Sequence, residues 1–493
     1  MSTTVIAQVR DALSRHGIVP RALRSDSRQV SPGDLFVAMP GERTDGCQYI
    51  GAAIEAGACA VLCEAGSAPS NARVPVIEVQ SLRSHAGAIA DALLDHPSFA
   101  LHVIGVTGTN GKTSVTHWIA QAMQALGSGC GIIGTLGNGL PGQLAESPNT
   151  TPDVVSIHQT LADLRNAGAR ACAMEVSSIG LDQGRIDAVR IHTAVFTNLT
   201  RDHLDYHADM QSYAAAKSAL FSHPGVVAAV INTDDLTGRS LVKQFASQLA
   251  VIACEFERDA PPAPSVLSAE NPDLAQGITF DLELDGSSVR VETSLVGQFN
   301  VQNLLAVAGS LLHAGIPMDD IARALGTLTP PPGRMQRLGG DNEPLIVVDY
   351  AHTPDALEQA LLALRPVAEA RGGNLACVFG CGGDRDAGKR PMMGAIASLL
   401  APQVWITSDN PRSEDPEAIL DDIEYGVSAG SVICRVTDRA TAIHGAIMSA
   451  EAADVVLLAG KGHETYQEQN GQRTPWSEVE QAQAALRERE ASA

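Results

Sequence analysis

Residues 101–126 read LHVIGVTGTNGKTSVTHWIAQAMQAL, and the order of features along them decides the fold. Val103, Ile104 and Val106 make an apolar run of strand length, after which Val115, Ile119, Ala122, Met123 and Leu126 recur at helical spacing. Between strand and helix lies TGTNGKT. Glycines at 108 and 111 let the backbone bend sharply and turn successive N–H groups toward one point, and the helix that follows adds its positive dipole end. That is a cradle for phosphate. Lys112 is placed to reach the β- and γ-phosphates of a nucleoside triphosphate and the Thr113 hydroxyl to ligate Mg²⁺. Five residues separate Gly105 from Gly111, where the general P-loop pattern has four. A glycine-rich turn without nucleotide is the competing reading, and the ordered strand, turn, Lys-Thr pair and helix weigh against it.

The 493 residues suggest about three domains of ~150 residues each. With 45% hydrophobic residues the chain can bury ample core. Its 34 basic and 56 acidic side chains leave a net charge of -22, which argues against a protein that wraps nucleic acid. The opening MSTTVIAQVRDALSRHG has the pattern of an amphipathic helix and not of a cleaved leader. No uncharged apolar run approaches the ~18 residues of a membrane span. A cytoplasmic, monomeric protein is expected. The nine cysteines are scattered, and Cys59, Cys63 and Cys377 lie in apolar runs, so they read as buried reduced thiols and not as metal ligands.

Residues 1–98 read as a small α/β unit with strands at DLFVAM, ACAVLC and VPVIEV, and HPSF at 96–99 reads as a linker. From 99 to 330, the strands LHVIGV, ACAMEV, HTAVFTN, GVVAAVIN and VIACEF alternate with helical patterns, which is the signature of a doubly wound parallel sheet. A hairpin is appended, turning at Asp285-Gly286. Pro330-Pro331-Pro332-Gly333 marks the next boundary. Residues 331–493 then repeat one arrangement four times, an apolar strand running into polar residues: LIVVDYAHTPD, LACVFGCGGDRD, QVWITSDNPRSEDP and DVVLLAGKGHE. In an open α/β sheet ligands bind beyond the carboxyl ends of the strands, so these four tips should converge on one crevice.

Glu175 ends one central strand, and TNLTRDHLDYH ends the next, which brings Asp202, His203 and His207 toward the same crevice. A carboxylate and an imidazole beside a P-loop suit a cation shared with the triphosphate. Each alone also fits a hydrogen-bonded turn. Lys217 is the only cation in MQSYAAAKSALF; it either faces solvent or, flanked by alanines, is desolvated and loses its proton. Composition does not choose between the two.

Taken together, GTNGKT, NTTP (149–152), EVSS (175–178), TNLTRDHLDYH, AAAK, GQFNVQN, PGR, DYAHTPD, GCGGDRD and DNPRSEDP resemble the Mur ligase family over essentially the whole chain. The resemblance implies an ATP-dependent amide ligase. The γ-carboxylate of UDP-N-acetylmuramoyl-L-alanyl-D-glutamate would attack ATP, and the amine of meso-diaminopimelate would displace phosphate from the resulting acyl phosphate. By the same resemblance Lys112, Lys217 and His203 are catalytic, and Thr113, Glu175, His203 and a CO₂-derived carbamate on Lys217 hold Mg²⁺. Gly108, Thr109, Asn110, Gly111, Lys112, Thr113, Ser114, Asn303, Arg334 and Asp349 would bind ATP. Ser25, Ser27, Glu42, Arg43, Thr44, Asn149, Thr150, Thr151, Ser177, Gln183 and Arg185 would hold the muramoyl nucleotide. Arg385, Asp409, Asn410, Pro411, Arg412, Gly460 and Glu464 would form the amino-acid pocket.

The choice of amino acid rests on Arg412, whose guanidinium can grip the distal carboxylate of diaminopimelate; lysine-adding relatives resemble DNPA here. Ile179 follows EVSS where family members often carry His. Three other readings share parts of this plan, one of them a plain two-substrate kinase, which would release a phosphorylated product and not an amide. Folylpolyglutamate synthase has similar chemistry but not the first domain or DNPRSEDP. A guanine-selective switch needs Asn-Lys-x-Asp, and Asn232-Thr233-Asp234-Asp235 lacks the lysine.

Overall fold

The computed structural model describes residues 2–492 apart from 42–44, 148, 205, 257–261, 275–276 and 341. It has three α/β domains, one around each large sheet. In the first, the strands Leu23–Arg24, Leu35–Ala38, Ala60–Glu64 and Val76–Val79 lie side by side, all parallel. Leu35 and Val37 face the helices Ser2–Arg15 and Leu82–Leu93, whereas Phe36 and Ala38 face Ile50–Glu55. The period-two alternation of a strand covered on both faces thus places every side chain in core.

The central sheet has eleven strands. The P-loop strand His102–Thr107 lies between Ala171–Glu175 and Thr193–Phe196, parallel to both. The chain leaves it in one direction and later returns on its other side, so the P-loop opens at the point where the winding reverses, the place where such sheets bind ligands. The hairpin Ile278–Leu284 and Ser287–Thr293 forms one edge, and its turn residues Asp285 and Gly286 have φ of 50° and 82°, as the Asp-Gly signal requires.

Several strands are not among those expected. Cys130–Gly134, CGIIG, is fully buried beside Ala171–Glu175. Glycine gives little strand preference, but here it makes room: a Cβ at 131 would collide with Leu164 and one at 134 with the Glu175 carboxylate. Ser265–Asp273 is another, parallel to Ala250–Glu255 and then paired with the hairpin. The HPSF stretch is not a loose linker either. Pro97 and Ser98 are buried in a short 3₁₀ turn, and Ser98 Oγ accepts a 3.0 Å hydrogen bond from Arg190 N.

The third sheet runs Gln336–Gly339, Leu345–Asp349, Val455–Ala459, Leu375–Phe379, Gln403–Ile406, Val432–Arg435, parallel except at the first strand. Its four expected strands therefore end on one side of the sheet. The nine cysteines are free. Burial pushes the Cys63 thiol up to about 11 and that of Cys377 to about 12, so both remain neutral. Among the described residues no helix is long and apolar enough to cross a membrane.

Candidate active site

The backbone amides of the phosphate loop are braced by one neighbouring segment. Thr109 N donates to Asn198 O at 2.8 Å and Asn110 N to Asn198 Oδ1 at 2.9 Å, so the segment after Thr193–Phe196 holds the loop while its other face stays open. Gly108 has φ 147°, and a Cβ there would collide with Thr197 Oγ1. Gly108→Ala is therefore expected to displace the loop, at a cost of about 1–3 kcal/mol in nucleotide affinity, or roughly five- to 150-fold, read by calorimetric titration with ATP. Gly105, by contrast, sits inside the strand, and the working glycines are 108 and 111.

Helix Lys112–Ala125 starts at the loop. Lys112 Nζ donates to Gly108 O at 2.9 Å and Thr109 O at 2.8 Å. Burial lowers its pKa, and the carboxylates of Glu175 and Asp202 oppose that. Thr113 Oγ1 donates to Glu175 Oε2 at 2.9 Å and accepts from Arg334 Nη2 at 3.2 Å. Glu175 Oε1 accepts from Thr135 N at 2.8 Å. Hydroxyl and carboxylate oxygens beside a phosphate cradle are the donors a hard divalent cation takes, so these residues fit Mg²⁺.

Lys217 does not face solvent. It is 1% exposed, its Nζ donates to Gly108 O at 2.7 Å, and it lies 4.3 Å from the centre of the Tyr213 ring. Two lysines thus share one carbonyl. Burial first, and the charge on Lys112 second, drive the Lys217 pKa far below its ordinary value. His203, with φ 54°, lines the cleft, its Nε2 3.5 Å from Asp202 Oδ2. His207 is buried, its Nε2 2.9 Å from Ser178 Oγ. Among the described residues no three His, Cys, Asp or Glu side chains gather into a ready metal cage.

A cavity of about 340 Å³ opens beside the loop, lined by Asn110, Gly111, Ser114, Asn303, Arg334 and Asp349. Burial raises the Asp349 pKa against the pull of Arg334, and its Oδ2 accepts from Met335 N at 2.7 Å. Asp355, the last residue of DYAHTPD and given no role in the sequence reading, lines the same cavity and accepts a 3.0 Å hydrogen bond from Asn110 Nδ2. It joins the third domain to the P-loop across 245 residues of chain. Asn232, Asp234 and Asp235 also line it.

The larger cleft, about 1380 Å³, is walled by all three domains. Ser25 and Ser27 come from the first, Asn149, Gln183, Arg185, Asp202 and His203 from the second, Arg385, Asp409, Asn410, Arg412, Gly460 and Glu464 from the third. Ile179 also lines it, as an apolar patch. Glu42, Arg43 and Thr44 lie outside the described residues. Thr150, Thr151, Ser177 and Pro411 are not on the cleft wall. Thr151 is fully buried, its Oγ1 donating to Glu175 O at 3.0 Å and accepting from Ser177 N at 2.9 Å, and Arg185 Nη1 donates to Thr151 O at 2.7 Å. Thr151 thus ties Ser177 and Arg185 to the end of the strand Ala171–Glu175.

At the far end of the cleft the strand tips form a polar knot. Asn410 Nδ2 donates to Glu464 Oε2 at 2.8 Å, and the buried Lys461 donates to the same oxygen at 2.8 Å and to Asn410 Oδ1 at 3.0 Å. Burial and the neighbouring Asp409 raise the Glu464 pKa. Lys461 was not anticipated; its position between two glycines in GKGHE was the available signal. Arg412 adopts φ 53°, a conformation unusual outside glycine, and is held by Nη1 to Gly383 O at 2.7 Å. Tyr350 and His352 line both cavities and form the wall between them.

A P-loop cavity meeting a three-domain cleft that ends in carboxylate and guanidinium groups suits an ATP-dependent ligase. Three family models match the chain in order: Mur ligase family, catalytic domain, at residues 21–93; Mur ligase middle domain at 106–311; and Mur ligase, glutamate ligase domain, at 333–462. The chain belongs to the Mur ligase family. It is 50% identical over 472 residues to the UDP-N-acetylmuramoyl-L-alanyl-D-glutamate--2,6-diaminopimelate ligase of Ectopseudomonas mendocina, covering 95% of this chain and 96% of that one. It is 51% identical to the ligase of the same name from Pseudomonas aeruginosa, over 94% of this chain and 95% of that one. A solved structure of a ligase with that name superposes with a TM-score of 0.65 at 36% identity, over 96% of this chain and 95% of the other.

Proposed function

We propose that this protein joins meso-diaminopimelate to the D-glutamate of UDP-N-acetylmuramoyl-L-alanyl-D-glutamate at the expense of ATP, a step of peptidoglycan precursor synthesis. The observation that carries the reading is the wall shared by the two cavities, Tyr350 and His352. A carboxylate threaded along the cleft from Ser25 and Ser27 reaches the P-loop on one side and an amine held near Glu464 on the other.

The chemistry needs that arrangement because a free carboxylate is a poor acyl donor. Its oxygen attacks the γ-phosphorus, ADP leaves, and the amine then attacks the carbonyl carbon and expels phosphate. Lys112 and the helix amides hold the phosphates. Mg²⁺ held by Thr113 and Glu175, with His203 at a second ion, would neutralise charge on the phosphates. Glu464 and Asp409 attract the ammonium groups of the incoming amino acid, and Arg412 its distal carboxylate. The Lys217 amine, whose neutral form its burial favours, adds to CO₂ and releases a proton, which leaves a carbamate anion beside Lys112. Domain limits at 98/99 and 330/331, a cytoplasmic location and a monomeric state complete the reading.

Lysine is the competing amino acid, and Arg412 opposes it, since lysine has no second carboxylate to offer. Incubating the protein with ATP, the muramoyl dipeptide nucleotide and either diaminopimelate or lysine decides the matter. Phosphate release is expected with diaminopimelate alone; release with lysine, or none with either, would refute the assignment.

A further inference from the structure

Arg439 opens the helix Arg439–Ser449 and Glu478 the helix Glu478–Ser492, and their side chains form an ion pair with no exposure on either partner. The guanidinium uses all three of its nitrogens. Nε donates to Glu478 Oε1 at 2.5 Å, Nη1 to Ser408 O at 3.2 Å and Nη2 to Ala459 O at 2.9 Å. Trp476 Nε1 donates to the same carboxylate oxygen at 3.3 Å, whereas Glu478 Oε2 has no hydrogen-bond partner among the described residues. Stability alone does not account for such a pair, because the loss of hydration offsets much of its attraction and apolar side chains of like volume often serve as well.

The two carbonyls suggest what it does. Ser408 immediately precedes Asp409–Arg412, and Ala459 immediately precedes Gly460 and the turn to Glu464. One rigid, planar fork therefore ties together the tips of two strands that are not neighbours, since Leu375–Phe379 runs between them. A lysine, with a single flexible ammonium, would not reproduce the fork.

We propose that Arg439, oriented by Glu478, is a positioning residue for the amino-acid pocket. It sets the separation between the loop bearing Arg412 and the loop bearing Glu464, so that both ends of one diaminopimelate are met at once. This rests on the function proposed above.

The test uses the full-length protein in two forms. Arg439→Lys keeps the charge and loses the fork; the double variant R439M/E478M removes the pair without stranding a buried charge. In each, the KM for diaminopimelate is expected to rise about tenfold or more, as small displacements of binding groups do, while the KM for ATP and for the muramoyl nucleotide stay within about twofold. Amide hydrogen exchange at 408–412 and 460–464 should quicken in Arg439→Lys. An unchanged diaminopimelate KM in either folded variant, or an equal rise in all three KM values, would overturn the proposal. If the unaltered protein releases no phosphate with diaminopimelate, it is the function that fails; if it does and the variants match it, only the role of Arg439 fails.

Discussion

Lys217→Ala is expected to abolish ligation, and added bicarbonate is not expected to restore it. The lysine sits behind the phosphate loop, 1% exposed, with its nitrogen on the carbonyl that also receives Lys112. Two ammonium groups on one carbonyl in a desolvated setting repel one another, and burial together with the Lys112 charge lowers the Lys217 pKa well below its usual value, which favours loss of its proton. The neutral fraction grows as pH rises through that lowered pKa, so the amine is more available to CO₂ at higher pH and less so in acid. A carbamate makes this position negative and places an anion where a cation must be steadied. Losing it removes several kcal/mol of charge stabilisation, about a thousandfold or more in rate. Phosphate release measures the activity, and circular dichroism checks that the variant is folded. With ¹³C-labelled bicarbonate, a carbamate resonance should be present in the unaltered protein and absent from the variant. Near-normal turnover in Lys217→Ala, or no such resonance in the active protein, would sink the assignment.

Which way Lys217 points was the question the sequence left open, and the reason is instructive. AAAKSALF carries no strong helical face, so periodicity says nothing of its orientation. What decides it is the contact with Gly108, 109 residues earlier. The P-loop itself was legible because its information is local: strand, glycines, Lys-Thr and helix follow one another within 26 residues. The four strand tips were legible for the same reason, each being an apolar run with a polar end, and parallel winding brings such ends to one side. The Asp-Gly hairpin needed only its turn chemistry. Long-range pairs were not legible. Asp355 with Asn110, and Arg439 with Glu478, join residues whose neighbours in sequence carry no sign of the partner. CGIIG escaped notice because glycine lowers strand preference, and its glycines are explained only by Leu164 and Glu175 packed against them. Thr151 was legible as a polar residue near the site but not as one whose hydroxyl is taken up by Glu175 O and Ser177 N. A motif names a neighbourhood, and burial decides which side chains reach the ligand.

Arg412→Ala is expected to raise the KM for diaminopimelate about a hundredfold or more while leaving that for ATP nearly unchanged. Two parallel charge-assisted hydrogen bonds to one carboxylate contribute about 3 kcal/mol or more together, and each 1.4 kcal/mol is a factor of ten. The site is built to present that fork. Backbone hydrogen bonds tie Arg412 to the strand Tyr466–Gln469 and its turn, with Arg412 N donating to Glu468 O at 3.0 Å and Asn470 N donating to Arg412 O at 2.6 Å. These bonds hold the residue in its left-handed conformation whichever side chain it carries, so truncation should remove the guanidinium and leave the loop in place. Arg412→Lys separates charge from geometry. It should recover part of the loss, because an ammonium still attracts the carboxylate but offers no planar pair of donors. The amino acid supplied provides the second axis of the test. If the guanidinium acts by gripping the distal carboxylate, its removal should narrow the preference for diaminopimelate over lysine, since the variant no longer leaves a cation unpaired when lysine is bound. A diaminopimelate KM unaltered in Arg412→Ala would show that the second carboxylate is read elsewhere in the cleft, with Arg385, from the neighbouring strand tip, as the next side chain to remove.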